Sequence, residues 1–278
     1  MYRLAPLVLA VGLAGCTSGD PYSIAVQPLV GGAPFDCATE VTGLGTTDSS
    51  SWITHFRMFV HDVALITADG SEVPLELDED GEWQGEGVAL LDFDDGGGAC
   101  GDANGQTNNL IVGTAPTGTE ATGVAFTIGV PENLNHIDAT TAAAPFNDTG
   151  LWWTWSGGYK WTRIDFENDA GDPFYFHHGA TGCDGTPDTG FDCAFDNVTR
   201  IAVDMDPDSQ VLALDLNAWF AENNFDAPVD FGAGDFVKGC MSFGGDPECQ
   251  PIFNSMGINF EDTAPGPAQS VFTAMEAL

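Results

Sequence analysis

Residues 53–66, ITHFRMFVHDVALI, decide the fold prediction for this chain. Apolar and polar residues alternate through much of this stretch, which is typical of β-structure with one buried face. We therefore predict one long strand or two short strands here. Comparable segments recur between turn clusters, at 88–93, 124–130, 159–166, 174–178 and 198–203. The chain is therefore expected to be mainly β.

The spacing of these segments, without regular helices between them, predicts an antiparallel β-sandwich with long decorated loops and at most short helices. The best helix candidate is 210–223, QVLALDLNAWFAEN, although its beginning is also compatible with a strand. We find no internal repeat and no linker after the N-terminal region. Residues 22–278 are therefore predicted to form a single domain.

The charge balance excludes several functions. The 278 residues include 42 acidic and 6 basic side chains, for a formal net charge of −36. Hydrophobic residues make up 43% of the chain, which distinguishes it from a disordered acidic tail. Such negative charge repels phosphate backbones and anionic lipid surfaces but suits cations. Nucleic-acid binding is therefore not expected, whereas cation binding is.

The first sixteen residues resemble an export signal. Arg3 precedes an apolar run at 4–13 that is too short to span a bilayer. The sequence LAGC at 13–16 resembles a bacterial lipobox, in which Cys16 is lipidated and becomes the mature N-terminus. An ordinary signal peptide with an incidental cysteine is the alternative. We expect a tether at 17–21 and a location in the bacterial cell envelope, on the periplasmic side or as an outer-membrane lipoprotein, with the lipid anchor as its membrane contact.

Six cysteines remain after Cys16, an even number that implies disulfides in an exported chain. Many pairings are open, but spacing favours Cys183–Cys193 and Cys240–Cys249 as local links, with Cys37–Cys100 as the remainder. None of the six forms a C-x-x-C pair, which argues against a zinc ribbon or a thioredoxin-like site.

Histidines are few, and neutral imidazole is a preferred ligand for copper and zinc. The five are His55, His61, His136, His177 and His178. In an extended strand over 174–178, successive side chains alternate, so His177 and His178 face opposite ways. We expect one of them to point into a pocket and the other outward. A structural, hydrogen-bonded histidine is the competing interpretation for each.

Two further patterns suggest other ligands. Carboxylates cluster at 78–80, 184–188 and 204–208, where hard oxygen ligands would suit Ca²⁺, although solvated surface is the simpler interpretation. Residues 151–161, LWWTWSGGYKW, hold four tryptophans. They fit a core plug, a sugar-stacking platform or redox-active side chains beside a metal, and the area that tryptophan buries favours the core.

The order of several short motifs is similar to that of the MbnP-like family, also described as the four-cysteine partner in "metallo-mystery pairs". These motifs are FDC at 35–37, RMFVHDV at 57–63, ALLDF at 89–93, GVPENLNH at 129–136, W-x-W-x-x-G-Y-K at 153–160 and FHHGATGC at 176–183. The resemblance covers roughly residues 22–272. It implies an exported copper-binding protein found with a di-haem, peroxidase-like c-type cytochrome that oxidises a tryptophan to kynurenine.

Carried over by motif, the resemblance implies that His136, His177 and the modified Trp155 bind copper, with Trp153 the next candidate for modification. This chain has two histidines that depart from the family pattern, His61 and His178, and these are candidate extra ligands. Two imidazoles and an aromatic amine form a low-coordinate site that favours Cu(I).

The sequence thus predicts a lipid-anchored copper-binding protein that is not itself an enzyme. The partner would modify it, or it would deliver copper near that partner. One alternative is a Ca²⁺-dependent carbohydrate-binding module that uses Trp152, Trp153 and Trp161 as a stacking platform. The other is a purely structural surface lipoprotein.

Overall fold

The stretch 53–66 lies within one strand of 19 residues, Ser49–Thr67, around which the largest of the four sheets in the described residues forms. The computed structural model describes residues 19–101, 105–227, 238–260 and 266–277. The predicted signal sequence, Cys16 and the first residues of the predicted tether lie outside these ranges.

The secondary structure is mainly β, as predicted. The strands, β1 to β20 in chain order, are Gly19–Val30, Ala33–Pro34, Val41–Leu44, Ser49–Thr67, Glu72–Pro74, Glu76–Leu77, Gln84–Gly85, Val88–Asp92, Leu110–Pro116, Ala121–Ile128, Trp152–Thr154, Gly158–Tyr159, Thr162–Glu167, Pro173–His178, Thr181–Thr186, Gly190–Phe195, Thr199–Asp204, Gln210–Asp215, Gly239–Cys240 and Phe272–Glu276. The α-helices α1 to α3 are Glu132–Asn135, Leu216–Trp219 and Cys249–Ser255, and 3-10 turns occupy Gly45–Thr47 and Thr149–Leu151.

The two largest sheets pack around one core, and β11–β12 and β15–β16 form two further sheets of two strands each. The larger has the order β17-β10-β4-β13-β14-β19, with β3, β5 and β8 beside β4 and β7 beside β8. The smaller has the order β20-β18-β1-β9-β6, with β2 beside β1. Phe56 and Met58 of β4 enter the same buried cluster as Leu212 and Phe272 of the smaller sheet. No helix in the described ranges is long and apolar enough to cross a bilayer.

Much of strand β4 is covered on both faces, since buried residues follow one another at 58–60 and 63–65. Phe56 and Met58 face the core between the sheets, whereas Phe59 faces a second apolar cluster on the outer side. That outer cluster includes Val88, Tyr159 and Trp161. Because side chains alternate along a strand, the outer face of β4 also presents Arg57 and His61. His61, one of the predicted ligands, therefore lies on that outer face, whereas His178 is in register with Met58 and lies on the core side.

Four expectations need correction. The helix expected at 210–223 is wrong over most of its length, because 210–215 pairs as β18 with both β1 and β20, and only Leu216–Trp219 is helical. The tether is shorter than predicted, because β1 begins at Gly19 and pairs with Pro116 of β9. The sheets are not wholly antiparallel, since β1–β18 and β14–β19 pair in parallel. The stretch 159–166 is also divided, into β12 and β13.

The three disulfides join the pairs that spacing favoured. Cys37–Cys100 and Cys240–Cys249 are buried in the fold, with every cysteine at most 1% exposed. Cys183–Cys193 links the β15–β16 hairpin and is only partly buried.

A single guanidinium pairs with three carboxylates on the outer face of β4. Arg57 Nη2 lies 2.9 Å from Asp94 Oδ2, Nη1 lies 2.5 Å from Asp148 Oδ2, and Nε lies 3.2 Å from Asp92 Oδ2. Burial opposes the charge of Arg57, but the three carboxylates raise its pKa. Burial also raises the pKa of Asp92 to about 6 against the effect of Arg57. Asp94 is fully buried and accepts the backbone N–H of Phe56.

We predict that Arg57→Leu lowers the free energy of unfolding by about 3–5 kcal/mol, because it leaves buried carboxylates without a counter-charge. The matched control is Arg200→Leu, which removes the surface pair with Glu72 and is expected to cost less than about 1 kcal/mol. Urea unfolding of both variants at neutral pH measures the difference. Equal losses of unfolding free energy in the two variants would show that Arg57 does not stabilise the buried carboxylates.

Candidate functional site

The candidate site lies where α1 meets the segment 151–161. Helix α1 follows Pro131 and ends just before His136. Asn135 fixes this turn, because its Oδ1 accepts hydrogen bonds from Tyr159 N (3.1 Å) and Trp161 Nε1 (2.8 Å). Gly158 makes the approach possible, since its φ is +72° and a Cβ there would lie 2.5 Å from the Asn135 amide nitrogen. The motif LNH is thereby held against the tryptophan segment.

The hydrogen bonds of His136 leave one ring nitrogen available as a ligand. Its Nδ1 lies 2.8 Å from the carbonyl oxygen of Trp155. A carbonyl only accepts, so Nδ1 of the neutral ring carries the proton and Nε2 carries the lone pair. Nε2 accepts one longer hydrogen bond, from Asn135 Nδ2 at 3.3 Å, and lies 3.8 Å from Cys193 Sγ. The ring stacks on Phe191 with centroids 3.9 Å apart, which fixes its plane.

Two cavities meet at His136. The larger, of about 990 Å³, is also lined by Trp155 and Phe191. The smaller, of about 340 Å³, is also lined by His61, Phe191 and Cys193. The structure therefore brings together three of the predicted residues, because His136 lines one cavity with Trp155 and the other with His61.

The other two predicted histidines lie elsewhere. His177 faces the side of β14 that carries Tyr175, and its Nε2 bonds Asp165 Oδ1 at 2.7 Å. His178 is fully buried, and its Nε2 donates to the carbonyl of Asn197 at 2.7 Å. Both are buried, so the expectation that one of them faces outward is wrong. Neither lines either of the two cavities.

Burial sets the titration of these histidines. It lowers the pKa of His178 to about 4, with the carbonyl of Asn197 opposing it weakly. It also lowers the pKa of His177 and of His61 against the opposing charges of Asp165 and Asp62. Neutral imidazole is the form that binds metals. These three histidines are therefore in the ligand-competent form at neutral pH.

The tryptophans divide between core and surface. All seven lie in the described ranges, and Trp155, at 47%, is the exposed one. Trp153 lies with its ring against Gly179, where a Cβ would come within 2.8 Å of the indole. Trp161 is 4% exposed and packs edge-on against His178. Its burial removes Trp161 from the exposed stacking platform that the carbohydrate-binding alternative requires.

Clusters of metal-ligating atoms within the described residues all include a disulfide. The three groups are His136 with Cys183 and Cys193, Asp94 with Cys37 and Cys100, and Asp246 with Cys240 and Cys249. Bonded sulfurs lack the thiolate that binds metals. The acidic stretches proposed for Ca²⁺ contribute to none of these groups. Asp80 Oδ1 instead accepts three backbone N–H groups of its own turn, which gives that carboxylate a structural role.

Sequence reasoning missed three residues of the site. Asn135 belongs to the motif LNH, so its position beside His136 was a usable signal. Phe191 and Cys193 reach His136 only because β16 folds over it, from 55 and 57 positions along the chain. The local sequence pattern around His136 does not predict these contacts with β16.

The fold and the site together define a disulfide-linked, mainly β protein with a histidine–tryptophan cavity open to solvent. The MbnP family model matches residues 19–242, so the chain belongs to the MbnP family, as its motifs indicated. Among solved structures it is similar to MbnP from Methylosinus trichosporium, with 27% identity and a TM-score of 0.80. The match covers 94% of this chain and 100% of that one. No curated protein matches.

We predict that His178 makes the metal-free protein less stable in mild acid. Its pKa is lower in the folded state than the ordinary value of 6.5, so the unfolded chain takes up the proton first as the pH falls. Between about pH 7.5 and about pH 5, this group costs about 2 kcal/mol of unfolding free energy.

The matched variant is His178→Gln, which keeps a donor for Asn197 but does not titrate. Urea unfolding of both proteins across this range measures the difference in slope. The opposing contribution of Asp92 is common to both proteins and cancels. The same dependence of the unfolding free energy on pH in both proteins would contradict the lowered pKa of His178.

Proposed function

We propose that this chain is an exported copper-binding protein acting in copper acquisition or handling, with Cu(I) held at His136. The observation that carries the proposal is the hydrogen bond from His136 Nδ1–H to the carbonyl of Trp155. A backbone acceptor on one imidazole nitrogen orients the ring and leaves the other for a metal, as is usual for histidine ligands. Membership of the MbnP family supports copper as that metal.

His61 is the stronger candidate for the second imidazole. It lines the smaller cavity together with His136, and its Nδ1 has no hydrogen bond although it lies 3.1 Å from Asp62 Oδ2. His177 has the support of the family motif, but its Nε2 is held by Asp165 and it lines neither cavity. Cu(I) accepts two or three soft or imidazole ligands, so His136 and His61 with one further donor would complete a site.

That further donor is proposed to be Trp155 after oxidation to kynurenine, which exposes an aromatic amine. Trp155 is exposed and lines the same cavity as His136, so an external oxidant can reach it. Trp153 is the second candidate. We propose a di-haem, peroxidase-like c-type cytochrome as the oxidant, so that the chemistry is done to this protein and not by it. The net charge of −36 favours docking on a basic face of that partner.

The site is proposed to work in the bacterial cell envelope, with Cys16 as the lipid anchor. The three disulfides are consistent with an oxidising compartment.

We predict that His136→Ala weakens Cu(I) binding by more than about 100-fold, because a lost ligand exceeds the 10–100-fold typical of its supporting groups. The measurement is a competition titration with a Cu(I) chelator on disulfide-intact protein produced with its cytochrome. His55→Ala is the control, since His55 lies beside Asp94 and lines neither cavity. Unchanged affinity in His136→Ala would overturn the proposed site.

The same titration on four further variants identifies the remaining ligands. We expect His61→Ala to weaken binding more than His177→Ala does, and the reverse order would restore the ligand set that the motifs imply. Trp155→Phe is expected to lose both the kynurenine mass change and tight binding. Loss of the mass change in Trp153→Phe instead would place the modification at Trp153.

A further inference from the structure

The β15–β16 hairpin places the sulfurs of Cys183 and Cys193 beside His136. Nε2 of His136 and the sulfurs of Cys183 and Cys193 all lie within 4.8 Å of one another. The contact of Nε2 with Cys193 Sγ is 3.8 Å. In a tetrahedral site with ordinary metal–sulfur and metal–nitrogen bonds, two such ligands lie ~3.6 Å apart. His136 is therefore already placed for a metal that Cys193 would share.

We propose that reduction of the Cys183–Cys193 disulfide turns this cluster into a Cu(I) site formed by two thiolates and His136. The proposal shares His136 with the proposed copper site and concerns its regulation, but it rests on separate contacts. In the oxidised chain the sulfurs bind each other and leave the metal to imidazole and the modified Trp155. In the reduced chain two soft thiolates compete for the same ion.

Access distinguishes this disulfide from the other two. Cys183 and Cys193 are partly exposed, and Cys193 lines the smaller cavity. The four other paired cysteines are at most 1% exposed. Because thiol–disulfide exchange requires contact with the sulfur, a reductant entering the cavity reaches this bond first.

The hairpin has the main-chain pairing to keep the thiols together once the bond is cut. Strands β15 and β16 pair from Thr181↔Phe195 to Thr186↔Gly190, with the two cysteines directly opposite each other. Thr181 Oγ1 also donates to the carbonyl of Ser242, which ties the base of the hairpin to the rest of the fold. The reduced cysteines therefore stay on facing strands beside His136.

The chemistry balances with a dithiol as reductant. The dithiol supplies two electrons and two protons, the Cys183–Cys193 bond breaks into two thiols, and the reductant becomes a disulfide. Cu⁺ then binds without changing its oxidation state, and the bound thiols release their protons to water. Exchange with an oxidising disulfide reverses the step: that disulfide accepts the two electrons, takes up two protons and becomes a dithiol, while the Cys183–Cys193 bond forms again. Both sulfur ligands are then lost, and the ion returns to the other ligands or to solvent.

The test uses the full chain produced without the cytochrome, so that the tryptophans are unmodified. The protein is reduced with a dithiol, which is then removed by gel filtration without oxygen before copper is added, because dithiols themselves chelate copper. Cu(I) is titrated against a chelator before and after reduction, and thiolate-to-copper charge transfer is followed in the ultraviolet. We expect the reduced protein to bind one Cu(I) at least about 100-fold more tightly than the oxidised protein, with the absorption band. Reoxidation should abolish both.

Variants show which residues are responsible for the increase in Cu(I) affinity on reduction. Cys183→Ser with Cys193→Ser should remove it, and so should His136→Ala, which keeps the disulfide and controls for folding of the hairpin. The matched control is Cys240→Ser with Cys249→Ser, which should retain the gain. Alkylation of the partly reduced protein should label Cys183 and Cys193 first.

Three results would overturn the proposal. They are reduction of a buried disulfide before Cys183–Cys193, no gain in Cu(I) affinity on reduction, and a gain for Zn²⁺ alone. If the reduction-dependent site fails this test, the proposed copper binding by the oxidised, kynurenine-bearing protein is unaffected. Failure of that binding leaves the reduction-dependent gain intact, so the two proposals fall separately.

Discussion

Arg57 is the electrostatic centre on which the outer face of this protein depends. In a chain with 42 acidic and 6 basic residues, one guanidinium in the middle of the longest strand holds three carboxylates. One of them, Asp148, also accepts the N–H of Gly150 and so caps the 3-10 turn at Thr149–Leu151. The carbonyl of Gly150 in turn accepts from Lys160 and Arg163. Three of the six basic residues thus fix the turn that leads into the tryptophan segment.

That turn places the segment against α1, and the site follows from the contact. The backbone carbonyl of Trp155 orients His136, Asn135 fixes the loop, and Phe191 holds the ring plane from the far hairpin. Each of these groups acts on the imidazole and none needs to touch a metal. The arrangement gives His136 an oriented ring, and its Nε2 makes only weak contacts beside the two cavities that the residue lines.

The features that could be predicted from the sequence are those that depend on residues close together along the chain. Alternation at 53–66 predicts β4 because each side chain of a strand faces one side. Short spacings predict Cys183–Cys193 and Cys240–Cys249 because nearby cysteines close small loops. The helix predicted at 210–223 is confirmed only at Leu216–Trp219. Its beginning is a strand between β1 and β20, the alternative left open above, because its apolar residues fit a strand as well as a helix face. The burial of both His177 and His178, and the contact of Phe191 with His136, depend on partners far away in sequence, so no local pattern could supply them.

The central claim is that copper lies at His136, in the cavities shared with Trp155 and His61. Crystals of the copper-loaded, disulfide-intact protein, measured on both sides of the copper absorption edge, test it most directly. This account predicts one strong anomalous peak within bonding distance of His136 Nε2. A peak in the acidic turns, or none at His136 in protein that carries copper, would contradict it.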